Sequence, residues 1–161
     1  MSAETSELIR CDVLIAGGGA GGTAAALAAA SHGASVCLLE ETDWLGGQLT
    51  VQGVCTPDEN RYVESFGCTR RYAAFRGAIR DYYKANFRLS DAGAAQEWFN
   101  PGSCWVSGLS YEPRVGAAVL DGLVQPHIRS GALRVFYRTC VAAVEMGAPD
   151  DSFISSVHAK R

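Results

Sequence analysis

Val13 to Glu41 reads VLIAGGGAGGTAAALAAASHGASVCLLEE, and between Val13 and Leu39 it holds no Asp, Glu, Lys or Arg. Such a stretch crosses a membrane, fills a core or holds a ligand. A membrane-spanning helix needs about 20 continuous apolar residues. This run is broken by Gly17, Gly18, Gly19, Gly21 and Gly22 near its start and by Gly33 near its end, which argues against spanning. Val13-Leu14-Ile15-Ala16 is a short run typical of a buried strand, and Gly22 to His32 is Ala-rich with little to stop a helix. Gly33 stands where a helix C-terminal glycine belongs, and Ser35 to Leu39 is a second buried strand. Two apolar strands joined by a helix form a parallel βαβ unit with a right-handed crossover.

Gly17, Gly19 and Gly22 fit the spacing G-x-G-x-x-G, and Glu40 closes the second strand. The first glycine makes a tight turn, the second leaves room for a pyrophosphate against the backbone, and the third lets helix and strand pack closely. Unpaired N–H groups at the helix N-terminus face the phosphates. An acid at the position of Glu40 accepts hydrogen bonds from a ribose. The spacing alone is weak, but here it follows a strand, opens a helix and is answered by an acid, which reads as a dinucleotide cradle. The plain alternative is a glycine-rich turn with no ligand.

The chain has 161 residues, a mass of 17.1 kDa and 48% hydrophobic residues, enough for one domain with a sizeable core. A formal net charge of -3 offers no general attraction to nucleic acid or to an anionic membrane. The opening MSAETSELIR lacks the basic and apolar regions of a secretory signal, so a cytoplasmic setting is expected. Cys11, Cys37, Cys55, Cys68, Cys104 and Cys140 form no C-x-x-C pair. They read as scattered reduced thiols, with Cys55 and Cys68 in a polar loop the two that could be redox-active. His32, His127 and His158 are isolated, and no metal site is expected.

A nicotinamide dehydrogenase would normally run on from Glu40 through another helix into a third parallel strand. Here Trp44-Leu45-Gly46-Gly47-Gln48-Leu49-Thr50 brings a second glycine pair close to the acid. The stretch from Cys11 to Glu41 followed by WLGGQLT resembles the N-terminus of glutathione-reductase-type flavoproteins. With FRGAIRDYY and WVSGLSYEPRVGAAVL it resembles more narrowly the bacterial FAD-dependent oxidoreductase family, over most of the chain. The resemblance implies a Rossmann-like FAD/NAD(P)-binding α/β fold and FAD as cofactor. It sets the pyrophosphate against Gly17, Gly19, Ala20 and Gly21, with Gly22 completing the cofactor-site glycines, the adenosine ribose on Glu40, and the flavin-proximal half of the cofactor along Gly46, Gly47 and Gln48. The residue after the ribose acid is often basic in such proteins and is Glu41 here, so no contact to the adenosine end is carried over from it.

Thr69 to Phe87 has helical spacing, with Arg76, Arg80 and Lys84 four apart. The stripe reads as a solvated face opposite the packed aromatic one, or else as a clamp for an anionic substrate. Pro113 suits the first turn of a further helix, expected to stop at Pro126. Leu133 to Tyr137, Thr139 to Val144 and a segment from Ile154 are expected as a three-stranded β-meander. In the resembled flavoproteins the backbone at the position of Val141 meets the adenine. The expected organisation is a βαβ core over 1–50, a helical insertion over 51–130 and the meander over 131–161. The meander ends within a strand, which suggests a fragment of a longer flavoenzyme or a truncated reading frame, marginally stable and catalytically poor by itself. The expected function is FAD-dependent oxidoreduction of a small-molecule substrate, without nucleic-acid or membrane partners and with the catalytic residues unassigned. The alternatives are a non-catalytic dinucleotide-binding module, an NAD-dependent dehydrogenase and, more distantly, a flavoprotein acting on tRNA. No basic and aromatic patch favours the last.

Overall fold

The computed structural model describes residues 7–54, 56–147 and 152–161. Cys55 and the first six residues, on which parts of the sequence reading fall, lie outside the described residues. Strands β1 (Val13–Ala16) and β2 (Val36–Glu40) flank helix α1 (Ala20–Ser31), as the opening stretch demands. They pair in parallel, Val13 beside Val36 and Ala16 beside Leu39. Every residue of β2 is buried, because a strand with neighbours on both edges and helices on a face is removed from water throughout.

Gly33 does what its position in the sequence suggests. Its φ is +86°, and after His32 the Gly33 N–H reaches the Ala30 carbonyl at 3.1 Å while the Ala34 N–H reaches the Ala29 carbonyl at 3.2 Å. This crossed pair is the Schellman ending, which requires a left-handed residue. Gly33→Ala is expected to lower stability by about 1 kcal/mol from the left-handed strain alone, since no atom crowds that site. Urea unfolding measures it, and an unchanged midpoint would mean that the turn does not need its glycine.

Beyond Glu40, a single 3-10 turn at Gly47–Leu49 leads into an irregular segment. Helices α2 (Arg70–Asn86), α3 (Asp91–Ala94) and α4 (Pro113–Arg129) follow, then strands β3 (Leu133–Tyr137), β4 (Cys140–Met146) and β5 (Ile154–Lys160). Thr69 caps α2, its side-chain oxygen accepting from the Tyr72 N–H at 3.2 Å. The core joins α1, α2 and α4 to the sheet through Leu27, Leu38, Phe75, Ile79, Leu120 and Val124.

Two expectations change. α4 does not stop at Pro126 but runs one turn further, to Arg129. Proline removes one donor, yet Val124 is in the core and Ile128 packs against it, so both sides of the proline are held in place. The expected meander divides. β3 adds to the first sheet, parallel to β2 with Val36 beside Leu133 and Glu40 beside Tyr137, while only β4 and β5 pair antiparallel. A third parallel strand therefore does follow Glu40, delayed by the helical segment and delivered by α4. At its far end Arg138, with φ +53°, turns the chain out into the β4–β5 hairpin.

Arg76 and Arg80 are 1% and 5% exposed, so the solvated stripe is wrong for two of its three members, although Lys84 is exposed. The physical reason is angular. Phe75, Ile79 and Tyr83, the buried stripe, each lie one residue and about 100° from Arg76, Arg80 and Lys84 around the helix. The stripes are adjacent rather than opposite. The irregular segment before α2 then covers the arginines with carboxylates. Arg76 pairs with Glu59 and Glu64. Arg80 meets Glu64 at 2.6 Å and donates from Nε to the Phe99 carbonyl at 2.8 Å. Burial, and after it the neighbouring Arg80 charge, holds the Arg76 pKa down to about 10, which still leaves it charged at neutral pH.

Candidate functional site

The glycine turn, the acid and the second glycine loop meet at the carboxyl ends of β1 and β2, the edge of a parallel sheet where ligands bind. Gly17 turns the chain with φ +99°. The Gly18 peptide then ties three elements together. Its N–H donates to Glu40 Oε2 at 2.8 Å, and its carbonyl accepts from Thr23 Oγ1 at 2.7 Å and from the Gly46 N–H at 2.8 Å. There is no room for a side chain here, since a Cβ on Gly18 would lie 2.6 Å from Leu45 Cδ2. Gly22 is equally constrained, because a Cβ there would run into the Gly17 carbonyl oxygen. This is the close packing expected of the third glycine.

Gly19 and Gly21 differ from Gly18 and Gly22. A Cβ on either would meet nothing within 4 Å, and Gly19 has φ -58° and ψ -177°, which other residues adopt freely. Gly19 is thus not required by chain geometry. No side chain caps α1, so the N–H groups of its first turn have no acceptor from a cap. Gly19, Ala20 and Gly21 therefore border an uncapped, electropositive helix end with free volume in front of it.

The second loop stacks directly on the first. Gly19 and Gly46 form an isolated parallel bridge, and a Cβ on Gly47 would stand 3.0 Å from Gly19 Cα. Gly46 and Gly47 have φ +106° and +53°, conformations that favour glycine. Gln48, the second residue of the short turn, lines a cavity beside the cradle.

Glu40 is 6% exposed and already engaged. Besides Gly18, it accepts at Oε1 from the Thr42 N–H at 2.8 Å and the Thr42 hydroxyl at 2.6 Å. A carboxylate has about four acceptor positions, so one remains for a ligand hydroxyl. The role in holding the glycine turn was not visible in sequence, where only the separation of Glu40 from the glycines is legible. Thr42 was missed entirely, and a threonine two residues past an acid carries no signal by itself.

Val141 is the predicted site residue that stands apart. It lies on β4, is 37% exposed and faces Ala159 across the hairpin. The hairpin is nonetheless rooted near the acid, since the Thr139 N–H donates to the Glu40 carbonyl at 2.9 Å. Asp43 pairs with Arg138 at 2.6 Å on the same side, and that neighbour holds the Asp43 carboxyl below its ordinary range. Among the described residues no cluster of His, Cys, Asp and Glu is suited to a metal, and no helix is long and apolar enough to cross a membrane.

A family model described as FAD dependent oxidoreductase matches residues 12–161. The chain belongs to that family. FAD is accordingly its cofactor. Comparison with curated proteins found no match. Among solved structures, a 3-ketosteroid-delta4-(5alpha)-dehydrogenase from Rhodococcus jostii RHA1 is similar at 15% identity and a TM-score of 0.49, over 99% of this chain and 44% of that one. THI4 of Thermovibrio ammonificans is similar at 14% identity and a TM-score of 0.46, over 93% and 47%. A 3-ketosteroid delta1-dehydrogenase from Sterolibacterium denitrificans is similar at 15% identity and a TM-score of 0.49, over 94% and 44%. This member of the FAD-dependent oxidoreductase family thus spans less than half the length of each of those chains.

Proposed function

We propose that the chain binds FAD across the two glycine loops and serves the FAD-dependent oxidation or reduction of a small molecule. The observation that carries the reading is the free volume in front of Gly19 and Gly21 at the uncapped start of α1, roofed by Gly46 and Gly47. In this reading the pyrophosphate takes the N–H groups of Gly19, Ala20 and Gly21 beside the turn at Gly17 and the packing glycine Gly22. One ribose hydroxyl takes the remaining acceptor of Glu40. Gly46, Gly47 and Gln48 run along the flavin-proximal half, and the backbone at Val141 approaches the adenine from the hairpin. Bound there, the flavin supplies hydride or electron transfer. The chain's residues bind and orient it. A small-molecule substrate rather than nucleic acid or an anionic membrane is favoured by the net charge of -3.

Titrating FAD and, separately, NAD into the purified chain tests the reading by flavin fluorescence and calorimetry. Tight FAD binding with weak NAD binding is expected, and preference for NAD would overturn it. Glu40→Gln keeps the side-chain shape but turns a charged acceptor into an amide. It is expected to weaken FAD by about tenfold or more, as for a charge-assisted hydrogen bond of about 1.5–3 kcal/mol. Because Glu40 also holds Gly18 and Thr42, unfolding of the apoprotein is measured beside the affinity. FAD affinity unchanged in this variant would remove Glu40 from the ribose site.

A further inference from the structure

Beside the cradle, between α1, the 3-10 turn, α2 and α4, lies a cavity of about 300 Å³. Leu27, Leu49, Phe75, Leu120 and Leu123 give it an apolar wall, and Ala20 and Gln48 connect it to the glycine loops. Its size is at the lower end for small-molecule pockets, where apolar walls with a few placed polar groups are the rule. That suits a compact ligand rather than a dinucleotide.

Two opposite charges stand at its exposed mouth, Asp58 and Arg71. Among the described residues, neither side chain enters an ion pair or hydrogen bond with the other or with any third group. Helix stability does not account for Arg71 either, since a cation in the first turn of α2 faces the positive end of the helix dipole. Asp58 is fixed from behind. The next residue, Glu59, is held with Glu64 on the buried Arg76, so the roof carrying Asp58 is anchored to α2. A cation and an anion without protein partners at the mouth of one apolar cavity offer a ligand that carries both charges and an apolar group a charge-assisted hydrogen bond at each end.

We propose that this cavity binds an α-amino acid with an apolar side chain, its carboxylate on Arg71 and its ammonium on Asp58. The inference concerns binding and does not depend on the flavin reading. Calorimetric titration of the purified chain with L-phenylalanine tests it, beside 3-phenylpropanoate, which lacks the ammonium, and phenethylamine, which lacks the carboxylate. L-Phenylalanine is expected to bind about tenfold or more tighter than either, the difference one charge-assisted bond makes. Arg71→Gln should weaken L-phenylalanine and 3-phenylpropanoate but not phenethylamine, and Asp58→Asn should weaken L-phenylalanine and phenethylamine but not 3-phenylpropanoate. Ala24→Phe, which fills the cavity from an exposed position on α1, should abolish binding with circular dichroism and thermal unfolding unchanged. Absence of L-phenylalanine binding at millimolar concentration, binding indifferent to both charge variants, or competition between FAD and L-phenylalanine would overturn the proposal. Failure of FAD to bind a chain that still binds L-phenylalanine would instead count against the flavin reading and leave this one standing.

Discussion

Gly19→Ala is expected to weaken FAD binding by about tenfold to a hundredfold, the range for forcing a methyl group into an occupied space, while the apoprotein still folds. Gly19 has φ -58°, and its missing Cβ would point into open space, so nothing in the empty protein resists alanine. The one cost is at the helix start, where alanine caps less well than glycine by about 1 kcal/mol. For a chain of this size that lowers the unfolding temperature by about 2–4 °C. The adjacent case runs the other way. In Gly22→Ala the new methyl meets the Gly17 carbonyl oxygen, a backbone atom that cannot swing aside, so folding and binding are expected to fail together. Thermal unfolding of both apoproteins, read against their FAD dissociation constants, separates a glycine kept for the ligand from one kept for the chain. FAD affinity retained in Gly19→Ala would remove the phosphate from this turn.

Features whose cause is local were legible in the sequence. β1, α1, β2 and the left-handed ending at Gly33 follow from apolar runs and glycines within a few residues of one another, whereas the meeting of the two glycine loops was implied only by the resemblance to flavoproteins. What was misread depends on distant chain. Whether Leu133–Tyr137 pairs with β2 or with its successor is decided by the path of α4 across the sheet, which periodicity does not report. The strand pattern was right and the partner was wrong. Pro126 was read as a stop because the missing donor is a local fact, whereas the packing of Ile128 beyond it is not. Glu40 shows both levels at once. Its separation from the glycines points to a ribose, while the hydrogen bonds to Gly18 and Thr42 exist only once the strand end and the turn have met.

The arginine stripe of α2 carries the second large effect, in stability rather than in binding. Arg76→Ala is expected to cost about 3–5 kcal/mol, the range for removing one partner of a buried pair, against a total of about 5–15 kcal/mol for ordinary domains. The cost arises from what is left behind. The Glu59 side chain is only 4% exposed, and without Arg76 it keeps the hydroxyls of Ser107 at 2.9 Å and Tyr72 at 3.3 Å but no cation. Lys84→Ala, on the exposed end of the same stripe, should change stability by less than about 0.5 kcal/mol. Equal, small losses at both positions in urea unfolding would restore the solvated reading that the spacing of four suggests. A third variant separates lost attraction from stranded charge. Arg76→Met combined with Glu59→Leu removes both charges and keeps apolar volume, and replacing a buried pair in this way is often neutral or stabilising. The double variant should therefore be more stable than Arg76→Ala alone, with a residual deficit set by the Ser107 and Tyr72 hydroxyls that lose Glu59 as acceptor and by Glu64, which Arg80 continues to hold at 2.6 Å. A double variant as unstable as the single one would show that the loss lies not in the stranded Glu59 charge but in contacts of the guanidinium itself, such as the one over the Tyr72 ring, whose centre lies 5.8 Å away.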